Sequence, residues 1–309
     1  MGRYVLRRLL QLIPVFLGTT FLIYALVWAI PQDPFAGKCG QRPCDPNYIA
    51  EMSQKLNLND PLLLQYFKYL GNLITGDFGT TFNGVSVGEQ IATSWPITLK
   101  MGIIALVIEA IIGITAGILT GLRKQGFLDN LVLVSTLFLI SLPVFVTGFV
   151  LRLYLGPQGF DIMDTSVSSD PTFGELILPG FVLGSLSMAY VARLTRTSIV
   201  ENRRADYVRT AIAKGQPTTR VVGIHLLRNS LIPVITFLGT DLGSLMGGAI
   251  VTEGVFNING IGGLIFRGIQ EKEGIMVTGI VTLLVLVYLL ASLLVDLLYA
   301  VLDPRIRYE

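Results

Sequence analysis

Charge is scarce in this chain. Asp, Glu, Lys and Arg make up 14% of its 309 residues, against 52% that are hydrophobic. Together with a mean hydropathy of +0.65, this excludes an ordinary soluble domain, in which about a quarter of residues are charged. The net charge of +2 is too small to point to a nucleic acid. Histidine occurs once, as His225, in a basic amphipathic stretch where it reads as a surface or packing residue. With only Cys39 and Cys44 beside it, no His–carboxylate or Cys–His arrangement for metal binding or nucleophilic catalysis can be drawn. No G-x-x-x-x-G-K-[ST] phosphate loop and no G-x-S-x-G occur, so the chain has no P-loop of its own. With no catalytic chemistry to assign, transport, channel or scaffold roles remain.

What the sequence has is long apolar runs. Six of them, at 9–30, 97–121, 131–155, 176–191, 231–251 and 277–301, approach or exceed the ~20 residues needed to cross a hydrocarbon core. They predict an all-α integral membrane protein of six transmembrane helices. The fourth is the weakest, diluted by Pro179, Gly184 and Ser187. The first follows Arg3, Arg7 and Arg8 but lacks a small-x-small cleavage pattern, so it reads as a retained anchor. The resulting organisation is an N-terminus with the first span (1–30), an outer loop region (31–96), a core of five spans (97–301) with a basic inner loop at 192–230, and a tail (302–309).

Lys and Arg give the orientation. One side holds Arg3, Arg7, Arg8, Arg123, Lys124, the basic residues from Arg193 to Arg228, Arg305 and Arg307, whereas 156–174 has none. The positive-inside rule then puts both termini in the cytoplasm. Within 31–96, "NDPLLLQYFKYLGNLITGDFG" predicts an amphipathic helix with Leu62, Leu63, Tyr66, Phe67 and Leu70, lying on the membrane surface or capping a pathway. Cys39 and Cys44 share this outer region, where either a small disulfide loop or two free thiols is consistent with their spacing.

Ionisable residues inside spans are the usual pointers to a pathway. Glu109 and Asp241 are deep, while Arg152, Glu253 and Asp296 lie nearer the ends. Gly239, Gly243 and Gly247 recur every fourth residue in the fifth span, a small-residue stripe for close helix contact. Glu109, Gly239, Asp241, Gly243, Gly247 and Glu253 are thus candidates for pathway lining or subunit packing. After the stripe, the glycines of "TEGVFNINGIGG" predict a non-helical re-entrant turn.

The inner loop contains "DYVRTAIAKG", a short polar helix between two apolar runs. Asp206 is the expected N-cap, Gly215 the left-handed stop and Pro217 the block to continuation. Thr218 or Thr219 would cap a second helix through Arg228. Val208, Ala211 and Gly215 form a small-residue face suited to docking. A DNA-reading helix–turn–helix is disfavoured by the spans on both sides, and a lipid-surface helix is the alternative.

"DYVRTAIAKG" with "HLLRNSLIPVIT", the opening "RYVLRRLLQLIPVFLGTTFLIYAL", "GDFG" at 76–79, "TEGVFNINGIGG" and "LLYAVLDPRIR" together resemble the membrane permeases of binding-protein-dependent ABC importers, in the oligopeptide/dipeptide branch. The resemblance covers essentially the whole chain. It implies the type I importer permease fold, in a bacterial or archaeal cytoplasmic membrane, with an EAA-type coupling helix seated on an ATPase. Gly215 matches the glycine of that pattern and Ala211 its second alanine, while Arg209 and Thr210 depart from it. Asp206, Tyr207, Arg209, Thr210, Ala211, Lys214 and Gly215 are the implied docking residues. The implied partners are a second permease subunit, two ATPase subunits, a binding protein, peptide cargo and lipid. ATP and Mg would be bound by the ATPases and no cofactor by this chain. Nickel chelates, haem or glutathione are alternative cargoes. An ion-coupled transporter would need inverted repeats or more deep charges.

Overall fold

The computed structural model describes residues 2–29, 35, 38–39, 44–123 and 126–302. Lys124, Arg305 and Arg307, the rest of the tail from 303, the end of the "LLYAVLDPRIR" run, and the side chains of Arg3 and Asp296 lie outside the described residues. Helix α1 (Gly2–Trp28) leads through two short helices, α2 (Pro46–Lys55) and α3 (Leu62–Ile74), into α4 (Val87–Leu122). Next come α5 (Phe127–Ser141), α6 (Val144–Leu155), α7 (Ile177–Asn202) and α8 (Asp206–Ala213). A segment of α9 (Thr218–Arg220), a π turn (Val221–Leu226) and α10 (Leu227–Ser230) joins α8 to α11 (Ile232–Phe256), α12 (Ile261–Gln270) and α13 (Gly274–Leu302). Among the described residues the only β feature is an isolated bridge between Thr80 and Ser86.

Helices α1, α4, α7, α11 and α13 are each long and apolar enough to cross a bilayer, and α5 with α6 makes a sixth candidate, bent by 105°. The span expected over 131–155 thus holds a sharp break, which its apolar run did not show. Pro143 disfavours helical geometry at the residue before it, and Leu142 is accordingly extended, with ψ 129°. The chain crosses back and forth, so α2, α3 and α12 gather at one end, the cap end, and α8 to α10 at the other.

The second span begins earlier than its apolar run. The Ser86 side chain accepts the Glu89 N–H at 3.4 Å and starts α4 at Val87, and the helix runs on through Pro96. Helix α7, weakest in the sequence, is the central one. Pro179 falls in its first turn, where a missing N–H is harmless. Its closest neighbour is α4. A Cβ on Gly113, Gly117 or Gly121 of α4 would lie 2.7 Å from Val191, 2.4 Å from Thr195 or 2.9 Å from Ile199 of α7. This ladder, also spaced by four, lets the two backbones touch.

Helix α3 is pinned down rather than lying free. The Tyr66 hydroxyl bonds Thr20 at 2.7 Å and the Leu17 carbonyl at 2.9 Å in α1, and Tyr69 donates to Thr282 of α13 at 2.9 Å. Its other face leaves Leu63, Phe67 and Ile74 exposed, and Leu22 and Leu26 of α1 are exposed as well. The cap end is closed by a core of Phe82, Val87, Ile261, Ile265 and Ile280. Lys38 reaches into it, bonding buried Glu273 at 2.7 Å and the Glu271 carbonyl at 2.8 Å. Next to Lys38, Cys39 is joined to Cys44 by a disulfide.

Candidate functional site: a docking helix and a polar membrane face

Helix α8 begins one residue earlier than a cap at Asp206 requires. Ala205 is the N-cap and has no side-chain acceptor for the first N–H groups, while Asp206 opens the first turn. Its carboxylate there complements the helix dipole and lies 3.9 Å from Arg209. Gly215 takes the left-handed conformation at φ +69°, as a helix-stopping glycine should. Beyond it the cap of α9 is Pro217, not a threonine. His225 meets the Gln216 side chain at 2.8 Å and ties the turn to the π segment.

The two faces of α8 differ. Val208 and Ala211 are buried with Ile199, Val221 and Leu226, against Ile118 and Leu122. The small-residue face therefore docks into the chain's own core at the ends of α4 and α7, which corrects its assignment, Ala211 included, to an outward surface. Tyr207, Arg209, Thr210, Lys214, Gly215 and Ile212 are exposed, Ile212 at 61%. Sequence reading passed over Ile212, which lies at the edge of the buried Val208–Ala211 face and is nonetheless exposed; a large apolar residue in an otherwise polar and small-residue helix was the available signal. Tyr207 donates to Asn202 at 2.6 Å, and Arg203 bonds the Leu122 carbonyl at 3.1 Å. Helix α8 is thus fastened to the α4–α7 pair while presenting a mixed polar and apolar surface.

In the membrane region, Glu109 of α4 and Asp241 of α11 come together and interact across the helix contact, with Ser187 of α7 against Asp241. Asp241 and Ser187 line a cavity of about 320 Å³ with Val144, Leu183, Ser244 and Gly248. Beside it are exposed Thr240, Gly247 and Tyr190, the last packed on Phe237 at 4.5 Å. The glycine stripe of α11 does not act as one surface. Gly243 sits under Tyr288 of α13, where a Cβ would be 2.9 Å from the ring, whereas Gly247 faces open space. Gly239 is half-buried.

Glu253 is separate from that face. It is fully buried and accepts the Thr98 hydroxyl at 2.6 Å and the Gly263 N–H at 2.8 Å, while Thr98 also accepts the Ile261 N–H at 2.7 Å. The carboxylate thereby satisfies orphan donors at the start of α12. A Cβ on Gly260 would lie 2.4 Å from both Glu253 oxygens. The glycine-rich run is therefore a helix start packed on a carboxylate, which corrects the expectation of non-helical backbone through Gly254, Gly262 and Gly263; only 257–260 leaves the helix. Arg152 donates to the carbonyl of Val255 and closes the same corner from α6.

Comparison with known proteins agrees with this architecture. Residues 113–308 match the family described as binding-protein-dependent transport system inner membrane component, and residues 1–101 match its N-terminal companion. The chain is 35% identical to the di/tripeptide transport system permease protein DppB of Pseudomonas aeruginosa, with 99% of each chain covered. It is 33% identical to the dipeptide transport system permease protein DppB of Escherichia coli and 32% identical to the oligopeptide transport system permease protein AppB of Bacillus subtilis, both over the full length of each chain. The bent span, the fastened α8 and the matches across nearly all of the sequence place this multi-pass chain in the family of binding-protein-dependent transport system inner membrane components.

Proposed function

We propose that this chain is one of two permease subunits of an ATP-driven importer of di- and oligopeptides. Peptide as cargo is supported by the names of relatives that match from end to end. The observation that carries the coupling role is the split character of α8: one face is locked into the α4–α7 core and the other is open, with Ile212 between Arg209 and Lys214. A lever needs a stiff attachment and a free seat, and α8 has both. Each of two ATPase subunits binds ATP and Mg and seats one such helix. Closure of the ATPases moves α8, and α4 and α7 move with it, so that access to the pathway alternates. This chain supplies no catalytic group. In this reading the α8 end and both termini face the cytoplasm, which the distribution of arginine supports, and the cap end receives peptide from a binding protein.

The test is Ile212→Asp, which leaves the buried face alone. Peptide uptake by membrane vesicles is expected to fall by at least about tenfold, the size expected for an interface anchor, and the ATPase should no longer co-purify. The variant should still reach the membrane at wild-type levels. Wild-type uptake together with retained ATPase would remove α8 as the seat.

A further inference from the structure

Glu109 and Asp241 have no counter-charge. Among the described residues no Lys, Arg or His pairs with either. Glu109 is fully buried and its carboxyl faces only that of Asp241, and Asp241, more than nine-tenths buried, has an Oδ2 with no donor in bonding position. Native structures satisfy such groups unless a function keeps them open. Depth makes the arrangement more demanding. Asp241 lies about 14 Å along α11 from Ile232 at roughly 1.5 Å per residue, well inside the bilayer core. There neither water nor a lipid chain serves as a partner at low cost.

The surroundings point to a polar occupant. The cavity in front of Asp241 is walled by Val144, Phe145 and Leu183 and carries Ser187 and Ser244 as further acceptors. Its volume of about 320 Å³ is at the small end of ligand sites, suited to one end of a small molecule. Exposed Thr240, Ser244 and Gly247 continue this polar strip along α11, a composition that suits a passage better than lipid. One carboxyl at the back of an apolar-walled mouth, with a second behind it, selects a compact cation with several N–H donors. An ammonium group carried on an organic molecule suits the apolar walls as well as the carboxyl.

We propose that Asp241, with Glu109 behind it, is a transit site for the N-terminal ammonium group of the peptide as it crosses the membrane. Asp241 is the binding residue. Glu109 does not reach the cavity and is a positioning residue. The inference rests on the peptide-permease reading.

The experiment uses the complete importer, with binding protein and ATPases, reconstituted in liposomes with a dipeptide bearing a free N-terminus. Peptide uptake and binding-protein-stimulated ATP hydrolysis are measured side by side. Asp241→Asn is expected to lower uptake by at least about tenfold, the scale of one charge-assisted bond, while hydrolysis continues, so that more ATP is spent per peptide. Asp241→Glu should restore most of the uptake. Ser244→Lys should block uptake by holding its own ammonium at Asp241, and Ser244→Met, of similar length, should not. Four results overturn the assignment: unchanged uptake in Asp241→Asn, a parallel fall in uptake and hydrolysis that marks a packing role, equal block by Ser244→Lys and Ser244→Met, or uptake that requires sodium or potassium in place of choline. If the wild-type importer takes up no peptide, the functional reading falls and the inference with it; if only the variants behave like wild type, the inference falls alone.

Discussion

At the scale of single residues, the informative side chains are buried charges whose partners come from distant parts of the chain. Lys38 and Glu273 lie 235 residues apart, yet they form an ion pair at 2.7 Å, both nearly inaccessible, with the Lys38 ammonium 4.8 Å from the centre of the Phe82 ring. Removing one partner of such a pair leaves the other uncompensated, at about 3–5 kcal/mol. Lys38→Met is therefore expected to lower the thermal unfolding temperature of the purified complex, and the double variant with Glu273→Leu should recover part of the loss. A single variant as stable as wild type would show the pair to be solvated. The same scale separates what was readable from what was not. Glu109 and Asp241 could be picked out because a carboxyl inside an apolar run is conspicuous. Their meeting could not, because the register of two helices far apart in sequence is set by packing. Glu253 was equally conspicuous and was placed in a different role by Thr98, from another helix.

At the scale of elements, the contact between α4 and α7 dominates. Gly117 has Thr195 and the Ala192 carbonyl where a side chain would go, so Gly117→Val must push the helices apart. Overpacking of this kind costs about 1–3 kcal/mol. The expected outcome is lower thermal stability and, because α8 rests on these helix ends, weaker ATPase retention at unchanged membrane levels; normal retention would detach α8 from the pair. The ladder repeats every fourth residue, as visibly as the stripe on α11, and nothing in either sequence says which stripe meets a helix. The helical architecture, the six apolar runs, the stop at Gly215 and the amphipathic α3 were all legible from periodicity and local chemistry. The bend at Pro143 was missed because hydropathy averages across a break. The inward turn of Val208 and Ala211 was missed because small apolar residues suit either side of a helix.

At the scale of the molecule, the charges of the loops set the direction of travel. Thr210 on α8 and Ser168 between α6 and α7 are both exposed and lie at opposite ends of the bundle. A cysteine placed at Thr210 is expected to react with a membrane-impermeant maleimide only in inside-out vesicles, and one at Ser168 only in right-side-out cells. The native cysteines are already joined to each other and should stay silent. The reverse pattern would invert the proposed orientation.

The α4–α7 ladder also bears on biosynthesis. Helix α7 has a mean hydropathy of 1.5 over its best window, against 2.4 for α4; on its own it is the poorer candidate to leave the translocon for lipid. Its surface is largely complementary to a helix synthesised well before it, with a bent span emerging in between. The nascent chain must therefore keep α4 at hand until α7 appears, so that the least apolar span enters the bilayer against protein rather than against lipid.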